Sequence, residues 1–445
     1  MAIGGLQSAR FMKSRTRYDR LSRKTLDEAL AHIPGYAAWR AFDPGPGFPV
    51  AERYAALPVL TKQELRDHFP NGFIPPGRDL RAGLQNGDVE YAKTSGSTDD
   101  VVTLIFHAPW WEASEKAAWQ LNAHARRIAT GTHPEVVLAS PRCVGPGYTS
   151  RSLNMEERTL GRHLYLNQRI NPATWRPTDI RRMVDELNRY QPAVLEADAA
   201  YLAVFARRIA EFGLDVCQPE LIFLTYSYPS RVYLRQIRKV FTAPVASSYG
   251  STETGHVFME CEAGRLHQNT DHCRVDFEPW LPRYGGPALG RLLVTVFHNP
   301  WFAVLRFDTG DVACLETRGP CPCGRTVGLT LAGIDGRAKD VTFTADGRAI
   351  TVNRLDAALV GIPTLAGWQL DLPEPMCLQL WVLAEPRTAK STRQAAHKIL
   401  ERLYGPEMRL DVDVVPSLQP ERSGKFRFVR SAFEVDHSRL WKATP

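Results

Sequence analysis

Residues 220–250 read ELIFLTYSYPSRVYLRQIRKVFTAPVASSYG. The run GluLeuIlePheLeuThr at 220–225 has the length and composition of a buried strand. A helical stretch over 230–240 follows, and then a second strand-like run, AlaProValAlaSerSerTyr at 243–249. Upstream, ValValLeuAlaSer (136–140) reads as another buried strand, and 177–190 and 199–212 as amphipathic helices. Strands alternating with helices at this spacing predict an α/β architecture with substantial parallel sheet.

Outward from that stretch the texture changes. Segments 14–40 and 50–70 read as helical, and Thr61 with Glu64 three positions later forms a capping-box pattern. After residue 290, ArgLeuLeuValThrValPhe (291–297) and the run 303–313 read as strands of a more antiparallel β region. Residues 378–383, 391–404 and 409–415 read as strand, helix and strand of a small α+β lobe. The expected organisation is therefore a large N-terminal domain (1–338), with mixed and parallel sheets plus a β region. A small, mobile α+β C-terminal domain (339–445) would follow it.

A chain of 445 residues exceeds one ordinary core, which agrees with two domains. The net charge of +7 is spread along helix-like stretches rather than gathered in a block. Solvated faces and small anionic substrates account for it, and no nucleic-acid partner is expected. No window approaches the roughly 18 uninterrupted apolar residues of a membrane helix, so no membrane partner is expected. The N-terminus lacks the apolar core of a secretory signal, and a cytoplasmic location is expected. Eight cysteines are too few for a disulfide framework in a chain this long.

Five short segments carry chemistry. Thr94, Ser95, Gly96, Ser97 and Thr98 put small hydroxyls around a glycine, where backbone N–H groups can converge on an anion. SerSerTyrGlySerThrGluThrGly (247–255) sets a carboxylate among hydroxyls, a composition suited to Mg²⁺ shared with phosphate. In ArgPheAspThrGlyAsp (306–311) the last aspartate can accept hydrogen bonds from ribose. GlyArgAlaLysAsp (336–340) is the fourth segment. The fifth, GluArgSerGlyLysPheArg (421–427), carries a lysine on a glycine-flanked loop.

Taken in order, these segments resemble the adenylate-forming superfamily of acyl-CoA synthetases, peptide-synthetase adenylation domains and luciferases. LeuProValLeuThrLys (57–62) and CysProCysGlyArgThr (321–326) resemble, within it, the phenylacetate–CoA ligase family. The resemblance spans roughly residues 50–430. It implies that residues 94–98 form the β/γ-phosphate loop, that Thr252 meets the α-phosphate and that Glu253 holds Mg²⁺. Tyr249, followed by Gly250 and Ser251, would lie against the adenine of ATP. Asp311, with Arg337, would bind the ribose. Lys339 would be the hinge and Lys425 the catalytic lysine bridging carboxylate and ATP. The implied activity is activation of a small carboxylic acid as acyl-AMP, followed by transfer to CoA. An amine, a hydroxyl or a carrier-protein thiol is the alternative acceptor, and a nucleotide-binding pseudoenzyme the third reading. A monomer or homodimer is expected.

Two departures stand out. Asp99 and Asp100 follow the loop where the family has glycine and lysine. The segment Thr225–Pro229 puts two tyrosines, Tyr226 and Tyr228, where the family has small residues. Finally, Cys261, His267, Cys321 and Cys323 form a Cys₃His set of the type that binds tetrahedral Zn²⁺. Members of the resembling branch carry a similar set, which implies a structural zinc. His272 or Cys273 is an alternative ligand, and four reduced side chains around a CysProCysGly turn the metal-free reading.

Overall fold

The computed structural model describes residues 2–93, 101–128 and 131–441, with side chains from residue 15 onward. The chain forms two compact units that interleave in sequence. The first comprises 1–126, 248–279 and 288–333, and the second 127–247, 280–287 and 334–445. The fold is mixed α/β, as the sequence predicts.

In the first unit, the N-terminal helix Ala2–His32 is followed by a 3-10 segment, Pro34–Ala41. The expected helix over 50–70 is two short helices, Val50–Ala56 and Lys62–His68. The break is local chemistry: Leu57 precedes Pro58, which disfavours helical geometry at Leu57. Its backbone is extended at φ −76°, ψ 154°. The capping box forms, with the Glu64 amide donating to Thr61 Oγ1 at 3.2 Å and the Thr61 amide to Glu64 Oε2 at 2.7 Å. Just before it, Leu60 bridges in parallel to Phe307. Arg53, 2% exposed, forks onto Asp43 at 2.9 and 2.7 Å. The β region places Leu289–Val296 between Cys273–Pro279 and Phe307–Leu315, antiparallel to both. Leu266–Gln268 lies antiparallel between Gly255–Glu260 and Thr330–Arg337. The run expected over 303–313 begins as a strand only at Phe307, because Arg306 has φ 49°.

The second unit carries the parallel sheet. Strand Glu135–Leu138 pairs in parallel with His163–Tyr165 and Val194–Asp198, and the latter with Leu221–Thr225. Helices Pro177–Tyr190 and Ala199–Phe212 have the bounds read from the sequence. Asp198 caps the second of these by accepting from the Ala200 amide at 2.8 Å. The C-terminal segment adds a four-stranded sheet in the order Arg409–Val415, Cys377–Leu383, Gly367–Leu372, Val429–Ser431. One continuous core serves both parts, from Val136, Ile180 and Phe205 to Trp368, Leu400 and Phe428. Burying each such side chain is worth about 1.5–3 kcal/mol, so the two segments stabilise each other. A buried carboxylate strengthens the seam. Asp356, fully buried, accepts from Ser230 Oγ (2.5 Å), the Arg231 amide (2.7 Å) and Trp368 Nε1 (3.0 Å).

At the first parallel strand, Glu135 is fully buried. His133 Nε2 lies 2.7 Å away and Arg162 Nη2 2.9 Å away. Burial alone would raise its pKa, but the His133 hydrogen bond and the His163 and Arg162 charges hold it below the usual carboxylate range. A carboxyl whose folded pKa is depressed adds stability above its unfolded pKa of about 4.3, and that stability is lost as pH falls through the folded value. Glu135→Gln should therefore cost about 3 kcal/mol at pH 7, the scale for breaking a buried pair. In urea titrations followed by circular dichroism, the gap from wild type should narrow as pH falls below about 4.

Candidate functional site

In the first unit, the segment 247–255 becomes a strand, a tight turn and a returning strand. Val245–Ser251 pairs antiparallel with Gly255–Glu260, with an irregularity between Tyr249 and Gly250. A Cβ on Gly250 would stand 2.1 Å from the Gly255 carbonyl oxygen, so the turn requires glycine there. Ser251 and Thr254 exchange a hydroxyl contact at 3.0 Å, which closes the turn around Thr252 and Glu253. Glu253 is 5% exposed, and it makes no hydrogen bond or ion pair among the described residues. A buried carboxylate without a partner is costly unless a cation meets it. That is the donor chemistry Mg²⁺ takes.

Tyr249 and Asp311 are brought together. The Tyr249 hydroxyl donates to Asp311 Oδ2 at 2.8 Å, and its ring packs on Phe258 at 6.1 Å between centroids. Asp311 lies in strand Phe307–Leu315, where its amide donates to Thr309 Oγ1 at 3.3 Å. The pair presents an aromatic face beside a fixed carboxylate, a combination suited to a nucleoside.

The second unit holds Lys425, Arg337 and Lys339. Lys425 stands on a turn closed by two backbone bonds, from the Glu421 amide to the Lys425 carbonyl and from the Gly424 amide to the Glu421 carbonyl, each 2.8 Å. Ser140 Oγ donates to the Ser423 carbonyl at 2.6 Å. The Tyr201 hydroxyl proton lies between the carbonyls of Gly424, at 3.0 Å, and Ile170. Gly424 has φ 89°, and a Cβ there would stand 2.2 Å from Ser140 Oγ. The contact admits only glycine. Ser140 follows strand Glu135–Leu138, and Asp198 ends Val194–Asp198, so the loop lies over the carboxyl ends of parallel strands. Open α/β sheets bind ligands at that edge.

Beneath the loop, Asp198 is buried, and burial raises its pKa against the pull of the Ala200 amide, the Ser227 hydroxyl and the Lys425 charge. Burial likewise raises the Cys143 thiol, with Lys425 pulling it down. Arg337 precedes the short turn Ala338–Asp340. Asp340 is buried and meets Arg427 Nε and Nη2 at 3.1 Å. Burial raises its carboxyl, opposed by the charges of Arg427, Arg337 and Lys339.

Sequence reading did not identify Ser140, Tyr201 or Arg427, because what they do depends on contacts 87–283 residues away in the chain. Of the two tyrosines in segment 225–229, Tyr228 is tied into the seam: its hydroxyl donates to Asn353 Oδ1 at 3.0 Å and its ring meets Phe428 edge-on. Tyr226, at φ 71°, turns its hydroxyl onto Glu196. The expected phosphate loop, 94–98, and Asp99–Asp100 lie outside the described residues.

The Cys₃His set converges within the first unit. Donor atoms of Cys261, His267, Cys321 and Cys323 all lie within 4.8 Å of one another. Cys261 Sγ is 3.6 Å from Cys321 Sγ, and Cys323 Sγ is 3.2 Å from His267 Nε2. Donors on tetrahedral zinc stand about 3.5–3.8 Å apart, given bonds of about 2.0–2.3 Å. The residues fit the ion. His267 Nδ1 meets Thr330 Oγ1 at 3.3 Å, which orients the ring so that Nε2 faces the thiols. Burial lowers the imidazole pKa to about 4, so it is neutral near pH 7. Burial opposes ionisation of Cys323, but hydrogen bonds from Arg325 hold it below the ordinary thiol value. His272 and Cys273 stand apart from the set. His272 packs on Trp110, and Cys273 donates to the Asn269 carbonyl at 3.5 Å.

No family model and no curated protein matches the chain. Among solved structures, the chain is similar to a crystal structure of 2-hydroxyisobutyryl-CoA ligase in the postadenylation state with 2-HIB-AMP. Identity is 18%, coverage 96% of this chain and 90% of that one, and the TM-score 0.67. An open conformation of that ligase with 2-HIB-AMP and CoA gives a TM-score of 0.53 at 18% identity, covering 92% and 91%. Its thioesterification state gives 0.52 at 19% identity, covering 94% and 90%. At such identities the likeness establishes a shared fold: this chain has the fold of an acid–CoA ligase.

Proposed function

We propose that the protein activates a small carboxylic acid with ATP as acyl-AMP and then transfers the acyl group to CoA. The observation that carries this reading is the loop of Lys425, held by Ser140 and Tyr201 over the carboxyl ends of the parallel strands. A single flexible cation on a rigid turn suits charge that develops only in the transition state. In adenylation the acid's carboxylate oxygen attacks the α-phosphorus, and the bond to pyrophosphate breaks. Lys425 would steady both the entering carboxylate and the phosphate oxygens. Tyr249 and Asp311 would hold adenine and ribose, with Gly250, Ser251 and Thr252 shaping the turn beside the α-phosphate. Residues 94–98 would cradle the β- and γ-phosphates.

Mg²⁺, held by Glu253, would neutralise charge on the pyrophosphate. The Glu253 carboxylate, buried and without a hydrogen bond or ion pair among the described residues, supports that assignment. Residues 339–445 would act as the swinging lobe, with Lys339 as its hinge and Arg337 assisting at the ribose. The fold of a ligase crystallised with acyl-AMP and with CoA supports CoA as acceptor. Membership in the phenylacetate–CoA ligase branch rests on residues 57–62 and 321–326.

Acid-dependent exchange of labelled pyrophosphate into ATP tests the first half-reaction. Lys425→Ala should lower it about 10²–10³-fold, the scale for losing one preorganised charge, with an unchanged melting temperature. Wild-type exchange with no acid of a broad panel would sink the proposal. Full exchange without acyl-CoA on adding CoA would remove only the second step.

The Cys₃His set is assigned a structural zinc, since four protein ligands leave no open position. Elemental analysis should find about one zinc per chain. Cys321→Ser should lose the metal and melt several degrees lower, because binding energy is folding energy at such sites. A wild-type protein that is fully folded and metal-free would overturn the assignment.

A further inference from the structure

A cavity of about 270 Å³ lies within the second unit, between helix Ala199–Phe212 and the segment 416–426. Trp175, Tyr233, Leu418 and Phe426 supply apolar walls, and Arg207 supplies a guanidinium. That guanidinium makes no hydrogen bond or ion pair among the described residues. The two nearby carboxylates are already committed. Glu211 pairs with Arg208 at 2.7 Å, and Glu385 with Arg387 at 2.6 Å. Burial correspondingly pulls Arg207 below its ordinary value. A half-buried arginine beside Trp175 and Phe426, with no carboxylate in contact among the described residues, is costly to maintain, and an incoming anion would offset the cost. The volume equals on the order of nine waters at ~30 Å³ each, the bulk of a medium-length alkyl chain with a head group.

We propose that this cavity is a binding site for an apolar monoanion, a medium-chain carboxylate in chemical class, whose head group pairs with Arg207. One wall includes Phe426, the neighbour of Lys425, so an occupant would hold the Lys425 loop against helix Ala199–Phe212. This consequence rests on the adenylation reading, in which that loop leaves after the first half-reaction. A ligand that binds only the docked arrangement shifts the population toward it. Occupancy would therefore leave adenylation intact and slow acyl transfer.

Octane-1-sulfonate is a suitable probe, because it has the chain and the charge but no carboxylate to activate. Calorimetry should show it binding the wild-type protein, with Arg207→Gln at least tenfold weaker and 1-octanol weaker still. Val204→Trp, which fills the cavity from the helix side, should abolish binding. Unfolding midpoints check that both variants fold. In the wild type the sulfonate should slow acyl-CoA formation at least threefold and change pyrophosphate exchange less than twofold. Equal affinity of wild type and Arg207→Gln, octanol binding as tightly as the sulfonate, or competition with the acid in exchange would each overturn the proposal. Binding that depends on Arg207 in a protein with no exchange activity would uphold the site and refute the adenylation reading instead.

Discussion

The approach of Gly424 to Ser140 and Tyr201 is the constraint on which the candidate chemistry depends. A lysine side chain has four rotatable bonds and little positional memory. Here its backbone is fixed by two carbonyls accepting hydrogen bonds from side chains just after a strand and at the start of a helix. The φ of 89° at Gly424 and the lack of room for any Cβ make this a glycine-only junction. Each of these bonds is worth about 1 kcal/mol net, and together they favour the docked loop.

The first unit solves a different problem with similar means. Its hairpin turn at 251–254 depends on the 2.1 Å limit at Gly250, and it leaves Glu253 buried without a partner among the described residues. The Tyr249–Asp311 bond then fixes a flat ring beside an acceptor. The Cys₃His set gathers the end of one strand, a facing strand and the long loop before Thr330–Arg337. Cys261 and Cys321 are 60 residues apart, and a shared ion would join them where no disulfide does.

Much of this was legible in the sequence, and the boundary of legibility has a physical cause. Helices Pro177–Tyr190 and Ala199–Phe212 could be delimited because an amphipathic period is a local signal. The Thr61–Glu64 box was readable for the same reason, whereas the Cys₃His grouping was read from residue type together with the family resemblance. The interleaving of the units was not readable. It follows from which apolar faces meet, and Phe428 carries no mark in the sequence of its contacts with Tyr228, Tyr233 and Trp368. The break at Leu57 was missed although Pro58 imposes it, and the late start of the strand at Phe307 follows from the unusual backbone of Arg306.

The buried carboxylate of Asp356 has a consequence for how the chain is made. Its partners Ser230 and Arg231 leave the ribosome 126 and 125 residues before it does. Until then the helix they start, and the apolar face of Ala199–Phe212, have no C-terminal sheet to cover them. At about 5–20 residues per second, that interval lasts on the order of ten seconds. The parallel sheet is thus born with one flank exposed and completes its core only as synthesis ends. Non-local pairing of this kind is slow to form and open to aggregation while it waits. A truncation that removes the last hundred residues would leave that core permanently half built.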